Sequence, residues 1–313
     1  MDILGYKTSK AIDLIYQEIL SLIPTMEIEW VEVKYITGSN AATGSCLVDH
    51  ETGDAKICLT AKGKTDEDAI SHEMLHALWF AKGYVDAQVI AQNCYEEYMG
   101  GQAINNLIQH TFILKRQIDM GILSDIQLKS RLAASYCPKG DESNIFSDYF
   151  ADIINCFGAD LISRKIYGEH MTSNAIKHSK IYTSAKRLTD MAEKYDLLTP
   201  FGQRRAIVAV YKELEKIAQE NGIGLDLKNT IAVPCVFSER QLMQNTISLF
   251  DLNEYSSRRK KYIRYHFNLI SDNQCCYAIH LAVSKNDTFL KLYEESVLEE
   301  FLSKTQFEYF LRQ

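Results

Sequence analysis

Residues 71–79 read SHEMLHALW, with two histidines four apart and a glutamate directly after the first. On an α-helix, residues i and i+4 share a face, with Cβ atoms roughly 5–6 Å apart. His72 and His76 can therefore aim one ring nitrogen each at a single ion, at the usual zinc-to-nitrogen distance of about 2.0–2.1 Å. Neutral imidazoles leave the charge of Zn²⁺ intact, so the ion lowers the pKa of its bound water towards about 7 and polarises a carbonyl. Glu73, beside the pair, is the candidate general base, taking a proton from the water and handing it to a leaving amine. The chemistry these residue types suggest is zinc-dependent peptide hydrolysis by a Zn-activated water. Average residue frequencies produce H-E-x-x-H by chance in about one chain in a hundred of this length, so the surrounding elements have to support it.

Those elements are legible on both sides of the motif. Thr65 is the expected N-cap of the motif helix, with Asp66, Glu67 and Asp68 in its positively polarised first turn. Helix formers then run from Ala69 to Ala81, and Gly83 offers the C-cap. Upstream, Ile12, Ile15, Ile19, Leu22 and Ile23 repeat near helical spacing until Pro24. Residues 28–36 (IEWVEVKYI) alternate apolar and polar side chains as a half-buried strand does. The apolar runs CLV and AKICL flank DHETGD, where Gly53 supplies a turn, so a β-hairpin is expected with His50 exposed at its tip.

Downstream, helices are predicted at 88–120, 123–134, 145–166, 174–194 and 201–221, with strands at 230–237 and 274–283. The four prolines, at 24, 138, 200 and 234, fall at element breaks. The predicted fold class is α+β, mainly α-helical: a small antiparallel sheet plus the motif helix, then a mostly helical C-terminal region. A boundary at DLLTPFG gives two domains, 1–196 carrying the motif and 197–313 for substrate recognition or regulation.

Composition narrows the partners. A net charge of -7 argues against a nucleic-acid or anionic-membrane binder, since phosphate binding needs basic surface. The short run Arg258–Lys261 is the exception and reads as a solvated helix face. The N-terminal stretch has no basic segment followed by an uninterrupted apolar one, and about 18 apolar residues never run together. The expectation is a soluble cytoplasmic protein. Eight cysteines without a CxxC pair suggest reduced, mostly buried thiols, with Cys275 and Cys276 packed in core.

The motif helix behind a small sheet resembles the zincin metallopeptidases, over roughly residues 28–160, with HEMLH as the specific part. The resemblance implies a zinc peptidase fold with an edge strand that pairs with extended substrate, and a third protein ligand. The metzincin extension would place Gly at 79 and His at 82, where this chain has Trp79 and Lys82, so that subclass is excluded. The thermolysin-like, or gluzincin, pattern takes a glutamate from the following helix, about twenty residues past the second histidine, which points to Glu96 or its neighbour Glu97. The aspartate such proteins carry one turn later is replaced by Gly100 and Gly101, so another group must orient the ligands. Asp148 and Asp152, four apart in FSDYFADIIN, are alternatives for third ligand and orienting group. His110, in NNLIQHTF, is a candidate oxyanion or supporting residue. A further similarity, confined to the HExxH helix, is to the ImmA/IrrE group that acts on a transcriptional repressor.

The resulting expectation is a zinc metallopeptidase of narrow specificity, with zinc as cofactor and a protein or peptide as substrate. The alternative is a non-catalytic helical interaction or regulatory protein carrying a vestigial or chance HExxH.

Overall fold

A computed structural model describes residues 2–30, 43–49, 52, 54–60, 63–90, 95–135, 147–169, 179–256 and 262–312. In chain order these form β1 (Asp2–Ile3), β2 (Tyr6–Lys7), α1 (Lys10–Leu20), β3 (Glu27–Trp30), β4 (Gly44–Val48), β5 (Ala55–Leu59) and α2 (Glu67–Ala81). Next come β6 (Gln88–Val89), α3 (Tyr95–Asp119), α4 (Asp125–Ser135), α5 (Ser147–Tyr167), α6 (Lys180–Ala192) and α7 (Pro200–Glu220). Then follow α8 (Leu227–Thr230), β7 (Ile231–Ala232), β8 (Cys235–Phe237), α9 (Glu239–Leu242), β9 (Phe250–Ser256), β10 (Tyr262–Leu269) and β11 (Gln274–Ala282). The last elements are α10 (Asn286–Glu295), α11 (Leu298–Thr305) and β12 (Tyr309–Leu311). Helix predominates in a mixed α/β chain, and no helix among the described residues is long and apolar enough to cross a membrane. Contacts group the chain into two units, one of Met1–Tyr84, Gln109–Cys137 and Ile162–Met171, the other of Val85–Ile108, Pro138–Leu161 and Thr172–Gln313. This grouping is discontinuous in sequence, whereas the expected boundary at 196/197 is linear.

In the first unit, Ile12, Ile15 and Ile19 of α1 share one core with Ile57 and Leu59 of β5 and with Ile70, Met74 and Leu78 of α2. The i, i+3, i+4 recurrence puts each set on a single helical face, and each fully buried aliphatic side chain contributes about 1.5–3 kcal/mol. The predicted hairpin is present: β4 pairs antiparallel with β5, and the Asp49 N–H donates to the Asp54 carbonyl at 2.9 Å to close the turn. The sheet is mixed, however, and not the antiparallel one expected, because β3 runs parallel to β5 in the order β3-β5-β4. Alternation specifies which strand face is buried but not which neighbour is chosen. The central place goes to β5, whose Ile57, Cys58 and Leu59 are all buried. Positions 31–36 of the predicted first strand lie outside the described residues, as do His50 and the run Arg258–Lys261.

The N-cap of α2 is Asp66, not Thr65. Its side chain accepts from the Asp68 N–H, and Gly63–Thr65 form a single 3₁₀ turn. Asp is the stronger N-cap of the two, and the turn over Gly63–Thr65 sets it at the start of the helix. At the far end Gly83 takes a left-handed φ of +80°, as a helix stop requires.

The second unit places helices α6 and α7 with the antiparallel sheet β9-β10-β11. Phe250 and Phe267 from that sheet pack with Phe289, Phe301 and Phe307 in one aromatic-rich core. The region after 197 is therefore helix and sheet together: the strands predicted at 230–237 and 274–283 are present as β7, β8 and β11, while β9 and β10 add sheet where mostly helix was predicted. Its period-2 signal was available in Ile263, Tyr265, Phe267 and Leu269 of β10, all at alternate positions. The long predicted helix over 88–120 begins only at Tyr95, after the two-residue strand β6. Cys275 and Cys276 are buried in β11, and all six cysteines among the described residues are free thiols.

Candidate metal centre

On α2 the arc holding Ile70, Met74, Ala77 and Leu78 is fully buried in the core of the first unit. That arc fixes the rotation of the helix, and the opposite side carries His72, Glu73 and His76, each half-buried. The second half of α3 belongs to the same unit and brings up Gln109 and His110. Ring centroids of His72 and His76 are 5.0 Å apart, His72 and His110 4.7 Å, and His76 and His110 5.5 Å. One ring nitrogen from each of the three lies within 4.8 Å of the others, and this is the group among the described residues able to hold a metal ion. Ligands of one tetrahedral zinc at about 2.0–2.1 Å are about 3.4 Å apart, so a modest inward movement of the rings would complete the set.

The electrostatics of the metal-free rings favour that role. Burial lowers the pKa of His72 to about 4, with Asp68 opposing and Arg131 assisting. Burial together with the charge of His72 takes His76 to about 3, against a hydrogen bond that His76 donates to Gln109. His110, the most enclosed, is held well below the ordinary imidazole value by burial and by its two neighbours. All three rings are thus neutral at physiological pH, the form that ligates. The Nε2 atom of His110 is buried with no hydrogen-bond partner among the described residues. An unsatisfied buried polar atom costs about 1–3 kcal/mol, which coordination to a cation would remove. The donor set therefore fits zinc.

The His76 ring is held by Gln109. Its Nδ1 lies 2.9 Å from Oε1 of Gln109. That oxygen only accepts, so Nδ1 carries the proton and Nε2 is left for a metal. Replacing Gln109 with alanine is expected to weaken zinc binding about 10- to 100-fold without changing zinc stoichiometry at saturation, measured by competition with a chromophoric chelator.

Glu73 faces β4. Burial raises its carboxyl pKa to about 7, while the backbone N–H of Cys46 donates to it and opposes the rise. A carboxyl poised near neutrality can both take and return a proton. The close approach depends on Gly44: a Cβ there would lie 2.8 Å from Cγ of Glu73 and 3.1 Å from the Cys58 carbonyl. In Gly44→Ala the Glu73 side chain must shift or the strand must give. If Glu73 acts as a general base at a zinc site here, any hydrolysis should fall at least tenfold in this variant with metal content intact, since a misplacement of order 1 Å can cost about 10²-fold.

Proton linkage gives a further expectation. The three imidazoles have lowered values in the fold, so the unfolded chain binds more protons between about pH 4 and 6.5, and stability must rise with pH across that window. Urea midpoints of zinc-free protein should fall steadily as pH drops from 6.5 to 4. The His72→Ala/His76→Ala/His110→Ala variant should show a flatter profile.

Of the residues singled out in the sequence, the structure brings together His72, His76 and His110, while Glu73, next to His72 on α2, lies against β4. Glu96 and Glu97 fall in the first turn of α3 and Asp148 in the first turn of α5, but their side chains lie outside the described residues. Asp152 is half-buried on α5, where burial, Asp160 and Asp152 push the Cys156 thiol up to about 12. Gln109 was not anticipated, and the only signal for it was adjacency to His110. Comparison of the chain with family models, with curated proteins and with solved structures gave no match in any of the three.

Proposed function

We propose that this protein is a zinc-dependent metallopeptidase whose metal is held by His72, His76 and His110, with Glu73 as general base. The observation that carries this reading is the convergence of three neutral imidazoles beside a buried carboxyl on the HExxH helix. Zinc bound there would supply a Lewis acid and an acidified water. Glu73 would take the proton of the attacking water and return it to the departing amine, and the Cys46 N–H would hold the carboxylate in place meanwhile. His110 would serve as a ligand in place of the carboxylates suggested by gluzincin spacing, and the unpartnered state of its buried Nε2 supports that assignment.

Substrate would enter as an extended strand. Among the described residues β4 is, with β3, an outer strand of the sheet β3-β5-β4, and it is the one whose backbone meets Glu73. A peptide adding to that edge would gain main-chain hydrogen bonds and bring its scissile carbonyl towards the histidines. Pairing of this kind favours extended segments over folded proteins. The direct test is metal content and hydrolysis of an unstructured peptide library by wild type, by Glu73→Gln and by His72→Ala. About one zinc per chain in the first two, with cleavage only by wild type, is the expected pattern. Cleavage retained in Glu73→Gln would overturn the mechanism.

A further inference from the structure

The second unit contains a cavity of about 500 Å³ whose wall is unusually cationic for a chain of net charge -7. Arg204, Arg205, Lys212, Lys216 and Arg312 all line it, and Asp272 is the one carboxylate that does. Four of these cations, Arg204, Arg205, Lys212 and Lys216, come from α7 and line the cavity along that helix. Arg312 arrives from beyond β12, tied by its backbone N–H to the Phe237 carbonyl.

Among the described residues, two of these five charges are paired and three are not. Asp272 is committed to the fully buried Arg204, at 2.5 Å, and Arg204 also donates to the Pro234 carbonyl. Lys216 is paired with Glu213 at 3.3 Å. Lys212 donates only to the backbone carbonyl of Asp272. Arg205 and Arg312 have no carboxylate partner among the described residues and are held by ring faces. Arg205 lies 4.8 Å from the Tyr195 centroid and 5.6 Å from that of Phe201, and Arg312 stacks at 3.5 Å on Phe201. Stacking fixes the guanidinium planes while leaving their N–H edges free, so the entropy of ordering two long side chains is spent before any ligand arrives.

We infer that this cavity is a binding site for a small phosphate-bearing ligand of nucleotide size. Planar guanidinium forks match phosphate oxygens bidentately, and Lys212 adds a point charge. The volume exceeds what a lone phosphate needs and lies in the range of small-molecule sites. The same chemistry would be offered by a nucleoside diphosphate or by free pyrophosphate, and the two differ in whether the cavity also holds a base.

Titration calorimetry on the whole protein with ADP, pyrophosphate and adenosine, in wild type and in Arg205→Gln and Arg312→Gln, separates these cases. Both arginines are exposed, so the variants should fold as wild type, which far-ultraviolet circular dichroism checks. Expected are one site per chain for ADP, none for adenosine, and a loss of about ten- to hundredfold in affinity in each variant. Pyrophosphate binding equal to that of ADP would place recognition in the phosphates alone, and weaker binding would add a contact to the base. Both results support the site. Adenosine binding as well as ADP, no binding of either phosphate compound, or affinities unchanged in both variants would overturn it. The readout does not pass through hydrolysis and is independent of the zinc site.

Discussion

Glu73→Gln should reduce peptide hydrolysis about 10²- to 10⁴-fold, the usual contribution of a positioned general base, while the purified protein keeps its zinc. Glutamine preserves the size of the side chain and can still accept a hydrogen bond from the Cys46 N–H, so the sheet-to-helix contact survives. What is lost is the ability to take a proton. Burial has already brought the neutral carboxyl to parity with the ionised form near neutral pH, since its pKa is raised to about 7. The amide therefore imposes little folding cost, and the melting temperature should stay within a few degrees of wild type. A positive charge beside it would pull the carboxyl back towards ionisation, so the base becomes competent when the metal is present. If hydrolysis survives, Glu73 is not the base; if zinc is lost with it, the carboxyl is part of the ligand set instead. Those two failures are read by different instruments, an activity assay and mass spectrometric metal analysis.

His110→Ala is the second large effect. With His110 as third ligand, the variant should purify with far less than one zinc per chain and should lose the thermal stabilisation that added zinc gives wild type. That stabilisation is about 2.7 kcal/mol when free zinc exceeds Kd by a hundredfold. The Glu96→Ala, Glu97→Ala and Asp148→Ala variants serve as the comparison and should keep their metal. The opposite outcome, zinc lost in one carboxylate variant and retained in His110→Ala, would restore a gluzincin-type ligand and leave His110 as an oxyanion donor. The metal-free stability of His110→Ala is informative by itself. Removing a ring whose Nε2 is buried and unpartnered relieves a polar penalty even as it opens space, so its cost should fall below that of an ordinary large-to-small core change of about 2–5 kcal/mol.

The elements near the motif were legible because their signals are local. Ile12, Ile15 and Ile19 announce α1 by helical recurrence, and two apolar runs around DHETGD announce the β4-β5 hairpin through turn chemistry. Where a choice depended on partners distant in sequence, the sequence left it open. Asp66 as cap in place of the expected Thr65 is a local preference that the reading missed, whereas the parallel pairing of β3 with β5 and the sheet β9-β10-β11 were settled by packing. The last had a usable alternation that a helical reading of the C-terminal region passed over.

By itself the sequence determined that His72, Glu73 and His76 lie on one side of one helix, because 3.6 residues per turn is a property of the backbone and the apolar residues around them fix which side faces the core. Only the tertiary structure decided what meets them. His110 stands 34 positions beyond His76 and enters through the packing of α3 in the first unit; Gln109 comes with it, and Gly44 admits Glu73 to the edge of β4. Likewise Arg205 and Arg312, more than a hundred positions apart, face one cavity because ring faces on α7 and the turn before it hold them there. Contacts between residues so far apart carry no period and no fixed spacing, since they arise from the burial of apolar surface elsewhere in the chain.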